Sequence, residues 1–103
     1  FHVQPVYGNP PGVNISDVSS SHCSVRDAAI ALSVFGHEGY RPRDIGFSNI
    51  MIEENDILPA PMNEALHADG VVFCAVRMYD GKGASRALTE KDVAVKDAGI
   101  EIR

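Results

Sequence analysis

Residues 24–36, "SVRDAAIALSVFG", decide how the rest of the chain is read. Ser24 with Asp27 three positions later resembles a capping box with Asp in the place of Glu. The residues that follow are rich in good helix formers until Gly36, so the pattern predicts a helix over about 25–35. Val25, Ala28, Ala29, Leu32 and Phe35 form one stripe, but Ile30 and Val34 widen it well beyond a third of the circumference. A helix apolar over that arc is covered on more than one side: it sits centrally, or it meets a partner.

Outward from this segment the chain reads mainly as extended. Towards the N-terminus, "HVQPVYG" and "VNISDVS" flank "NPPG", where Pro11 and Gly12 suit a type II turn, which predicts a hairpin. Towards the C-terminus, "IGFSNIMIEE" (45–54) reads as a strand with helix as the competitor, and "ENDILPAP" breaks it. Pro61 and Gly70 bracket "PMNEALHAD" as a short helix over about 61–68, by the preference for proline at the start and glycine past the end. "VVFCAVRMY" (71–79) is the strongest strand signal and is placed in the centre of the sheet, followed by a "DGKG" turn. "DVAVKDAGIEIR" (92–103) predicts a terminal hairpin around "DAG", with a helix capped by Thr89 as the alternative. No internal repeat shows. The expected fold is therefore α+β: a single two-layer domain spanning 1–103, with a mainly antiparallel sheet of about four to six strands, one central helix and one short one.

Composition bounds the function. The chain has 103 residues, 45% of them hydrophobic and 22% charged, as in an ordinary globular domain. Nine Lys and Arg against fourteen Asp and Glu give a net charge of −5, and the cations are scattered, so nucleic-acid binding is not expected. The longest apolar run is far shorter than the roughly 20 residues of a membrane span. The chain starts at Phe1, which reads as a processed or trimmed end and leaves both export and compartment open.

Cys23, beside His22 at the expected helix start, has a geometry in which the helix dipole and an imidazolium stabilise a thiolate. A core or disulfide role competes with it, and a bridge to Cys74 is one option. "HEGY" is not H-E-x-x-H, and His2, His22, His37 and His67 have no i, i+4 pair, so no metal and no cofactor is expected. A metal site would need His37, Glu38, His67 and Asp69 to converge. "GYRPRD" is the best recognition candidate: Arg41 and Arg43 around Pro42 can grip a carboxylate or phosphate, with Tyr40 as a stacking surface. The competing reading is internal ion pairing of these arginines. The acidic "EENDILP" stretch lacks an EF-hand pattern, and "GKGAS" lacks Walker spacing.

With no recognisable catalytic set, the sequence favours a non-catalytic protein-binding or assembly domain, as part of an oligomeric or exported complex, acting on a protein partner or on itself through edge strands. The alternative is a small enzyme or ligand-binding domain that takes an anionic molecule on Tyr40, Arg41 and Arg43, with Cys23 or His37 as the reactive group. A metal or small-molecule sensor built on the dispersed histidines ranks third.

Overall fold

A computed structural model describes residues 2–3, 19–26, 28, 30–37, 39, 41–54, 61–80 and 82–103. Its elements are β1 (His2–Val3), β2 (Ser19–Val25), β3 (Leu32–Phe35), β4 (Arg43–Glu53), β5 (Asn63–Cys74), β6 (Arg77–Tyr79), β7 (Ser85–Ala87), a single 3-10 turn (Glu90–Asp92) and β8 (Val93–Ile102). The strands join one eight-stranded sheet in which every pairing is parallel except β6 with β7.

The registers recur along the chain. In one row His2 lies beside Ser33, Ser33 beside Glu64, and Glu64 beside Ala94. In a second row Ser20 lies beside Phe47, Phe47 beside Phe73, and Phe73 beside Ile102. In a third, Val25 lies beside Ile52 and Ile52 beside Met78. Parallel partners one coil apart in all three rows describe a chain winding as a parallel β-solenoid, each coil stacked on the last.

This overturns the α+β expectation. Val25 ends β2, Leu32–Phe35 is β3, and the intended short helix over 61–68 is the first half of β5. Neither helix forms, and the sheet is almost wholly parallel. The reason is non-local. Local helix preference is worth only tenths of a kilocalorie per residue, whereas Ala31, Leu32, Ser33 and Val34 are buried and locked to the next coil. Within the wide apolar arc, Leu32–Phe35 is a strand whose first three residues are buried, not part of a helix. The terminal hairpin is also absent: β8 is one strand bent at Asp97 (φ 51°), with β5 as its parallel partner along its length. The expected N-terminal hairpin lies outside the described residues, apart from His2–Val3, which pairs with β3.

The corners are made by left-handed residues. Asn49 (φ 52°) and Ala75 (φ 53°) stand side by side in adjacent coils, as do His67 (φ 49°) and Asp97 (φ 51°). Each resets the inside–outside alternation. Phe47 points in, Asn49 takes the corner, and Ile50 points in again; Phe73, Ala75 and Val76 do the same. That reset splits "VVFCAVRMY" into β5 and β6.

Inside, like stacks on like. Ile45 lies over Val71, Ile50 is flanked by Cys23, and the rings of Phe47 and Phe73 stack with centroids 5.6 Å apart and planes at 21°. Asn63 is the buried polar member of this interior. Its Oδ1 accepts from the Leu32 N–H (3.2 Å) and its Nδ2 donates to the Asp92 carbonyl (3.1 Å), joining the coils on either side. At one corner the backbone itself is close: a Cβ on Gly36 would lie 2.1 Å from the His67 carbonyl oxygen and 2.6 Å from Pro42 Cδ.

Candidate functional site

The loop before β4 carries the anion-recognition candidates, and its best-placed member is turned onto the chain itself. Arg41 donates from Nε and Nη2 to Asp69 and from Nη1 to Asp97 Oδ2 (2.6 Å), while Nη2 also reaches the Asp97 carbonyl oxygen (3.0 Å). His67 Nδ1 lies 2.9 Å from the same Asp97 oxygen. The left-handed conformation of His67 and Asp97 brings this cluster together on the corner, where one guanidinium ties three successive coils. Hydrogen bonds from Arg41 hold the Asp69 carboxyl below the usual range; those from His67 first and Arg41 second do the same for Asp97. The Arg41 guanidinium is raised further by both carboxylates. All three of its nitrogens are engaged, so little of the fork is left for an incoming carboxylate or phosphate.

The other candidates disperse. Arg43 is exposed at the start of β4, level with Asp69, whose carboxyl its charge helps to depress. Tyr40 lies outside the described residues, as does Glu38. His37 is half-buried and sits in an isolated bridge. Cys23 is in β2 rather than at a helix start, half-buried and packed against the core beside Ile50, so the helix-dipole argument for its thiolate has no helix to rest on. Cys74 is in β5, one residue beyond the inward Phe73, and no disulfide joins the two cysteines. Through Ile50 and Val76, Cys23 stands two coils from the level of Cys74, about 10 Å at the usual strand spacing and too far to bridge.

Among the described residues no group of three His, Cys, Asp or Glu side chains is arranged to hold a metal ion, and no helix is long and apolar enough to cross a membrane. The acidic stretch and the "GKGAS" stretch meet in a shallow pocket of about 140 Å³ lined by Glu54, Met78, Tyr79, Asp80, Ser85 and Arg86. Arg86 closes it, pairing with Glu54 (2.6 Å) and Asp92 (2.7 Å). The Asp92 carboxyl is held low by Arg86 and by bonds from Thr89.

The most distinctive feature is the outer edge of β8. Among the described residues, β8 has β5 alone as a ladder partner. The interior row that runs through Val34 and Ala65, both 0% exposed, ends at Val95, which is 46% exposed. Ile100 and Ile102, which continue the rows of Val71 and Phe73, are only partly buried. Sequence reasoning pointed to terminal edge strands but gave no reason to single out Val95, because its uncovered state depends on which coil lies above it. Comparison of the chain with protein-family models, with curated proteins and with solved structures finds no match.

Proposed function

We propose that this chain is a non-catalytic assembly module whose β8 end takes up a further extended strand from a polypeptide partner. The observation that carries the reading is the exposed end of the interior row: Val95 repeats the inward position of Val34 and Ala65, but among the described residues no further strand pairs over it. Apolar side chains in such a row are stable in water only when the next layer covers them. Edge strands that stay monomeric carry prolines, inward charges or bulges. β8 has no proline, and at the irregularity in this ladder the extra residue belongs to β5, so the edge of β8 is broken by the left-handed corner at Asp97 and not by a bulge. Anion recognition by Tyr40, Arg41 and Arg43 has less support, because Arg41 spends its donors on Asp69 and Asp97.

The test is solution mass by light scattering across a concentration series, joined to titration with a labelled peptide of residues 93–103. The variant Val95→Lys places an ammonium in the uncovered row. Met51→Lys, on the outer face of β4 and 41% exposed, is the control. Self-association or peptide uptake that V95K abolishes and M51K leaves intact is the expected result. Absence of both up to about 1 mM, where binding free energy falls to about 4 kcal/mol, overturns the reading.

A further inference from the structure

We infer that the strand taken up by β8 is β8 of a second copy of this chain, paired antiparallel across a two-fold axis at the Asp97 corner. The inference rests on the open-edge reading above and adds the identity, direction and register of the occupant.

Backbone polarity comes first. Arg103 donates its N–H to the Phe73 carbonyl (2.8 Å) and accepts at its own carbonyl from the Ala75 N–H (3.1 Å), so both its backbone groups face β5. Groups alternate sides along a strand, so those of Ile102 and Ile100 face the open edge. In a strand of L-residues, side-chain direction, chain direction and the side of the N–H are fixed together. The inward residues Val93 and Val95 therefore point their backbone groups to the same open edge. The Val93 N–H is already held by the Glu90 carbonyl, which leaves its C=O as an acceptor.

The larger inward side chains of β8 are self-complementary about the bend, and the small inward Ala98 lies beside the axis. Val95 and Val93 stand on one side of the Asp97–Ala98 peptide at the same distances as Ile100 and Ile102 on the other. A two-fold axis through that corner, perpendicular to the coil axis, swaps the two arms of β8 and reverses the chain direction. Val95 then meets the second copy's Ile100 as a hydrogen-bonded pair, and Val93 meets its Ile102 through the Ile102 N–H and the Val93 C=O alone, with all four side chains in the interior. The contact is isologous and closes at two subunits.

The outer face agrees in charge. In this register Lys96 lies diagonal to Glu101 of the other copy, so the exposed cation of β8 faces a carboxylate across the seam. No other one-step shift preserves this: sliding the strands by one residue sets each inward side chain against an outward one.

The experiment compares the wild-type chain with Lys96→Glu, Glu101→Lys and the double swap by sedimentation equilibrium. All the altered side chains are exposed, so the fold is not at risk. A dimer is expected that each single change weakens roughly three- to tenfold, because both symmetric diagonals become like-charged, and that the double swap restores. A mixture of Ala94→Cys and Glu101→Cys chains should give an oxidised product whose peptide map links 94 to 101. Singles without rescue, a 94-to-94 link, or oligomers that grow past two overturn the two-fold register. A chain that stays monomeric yet takes up the 93–103 peptide in a V95K-sensitive way overturns the second copy and leaves the open edge standing. A monomer that ignores the peptide overturns both.

Discussion

The coils built on β5 and β8 have nearly the same pattern of inward residues but not the same neighbours. β5 lies between β3 or β4 on one side and β8 on the other, and Ala65, Ala68, Val71 and Phe73 are fully or almost fully buried. Among the described strands β8 pairs with β5 alone, and Val95, Ile100 and Ile102 keep part of their surface in water. The difference teaches that burial here is a property of position in the stack rather than of the residue. A valine is core or surface according to whether another coil follows.

The comparison breaks most visibly under paired truncations. Phe73→Ala removes a ring stacked on Phe47 in a covered layer, and urea unfolding should show a loss of about 3–5 kcal/mol. Ile102→Ala, next in the same row, should cost only about 1 kcal/mol, because its side chain is partly wet already. Equal costs would mean that the β8 coil is covered in solution at the concentrations used. The I102A penalty should therefore grow with protein concentration if β8 dimerises, since assembly then adds to stability by mass action.

A second probe acts through a single side chain that joins the two coils. Asn63→Ala leaves the Leu32 N–H and the Asp92 C=O without their partner, and the expected loss is about 2–4 kcal/mol by the same unfolding measurement. Asn63→Leu would separate the two contributions. It refills the volume but not the hydrogen bonds, so recovery to wild-type stability would show that packing, not the polar link, fixes the coil spacing.

How much of this was legible depends on which interactions decide each segment. "IGFSNIMIEE" reads as extended and is β4; "RMY", the end of the strongest strand signal before the glycine turn, is β6. Those segments carry their own signal in β-branched residues and turn chemistry. "AAIALSVF" and "PMNEALHA" carry the opposite signal, since Ala, Leu, Met and Glu favour helix, and only the ladder to the neighbouring coil makes strands of "LSVF" and "NEALHA" within them. The solenoid period is hidden as well. Partners are 31 residues apart from Ser33 to Glu64 but 26 apart from Phe47 to Phe73, and the β6–β7 hairpin interrupts the next turn, so no fixed repeat shows. Ala75 gives no hint of its left-handed corner, which glycine or asparagine would have signalled. In the candidate loop the sequence exposed the arginines but not their partners: Asp69 and Asp97 are 28 and 56 residues from Arg41.

The smallest effect expected is on the ion cluster of that corner, and its sign follows from the carboxylates. Asp69 and Asp97 titrate below the ordinary aspartate range in the folded chain, so the stability they contribute is fully present above the unfolded value near 3.9. It is lost as the pH falls through their lower folded values. The contribution of these two carboxylates to stability should thus be constant above about pH 5 and decline below about pH 4. Arg41→Gln removes the leading partner of Asp69 and the second partner of Asp97, so its cost should be seen at neutral pH and fade in acid, where the two unfolding curves converge. The cluster is solvent-exposed, and added salt should narrow the same gap. A gap that persists unchanged at pH 3 would mean that Arg41 holds the corner through its bond to the Asp97 backbone carbonyl, which does not titrate, rather than through charge.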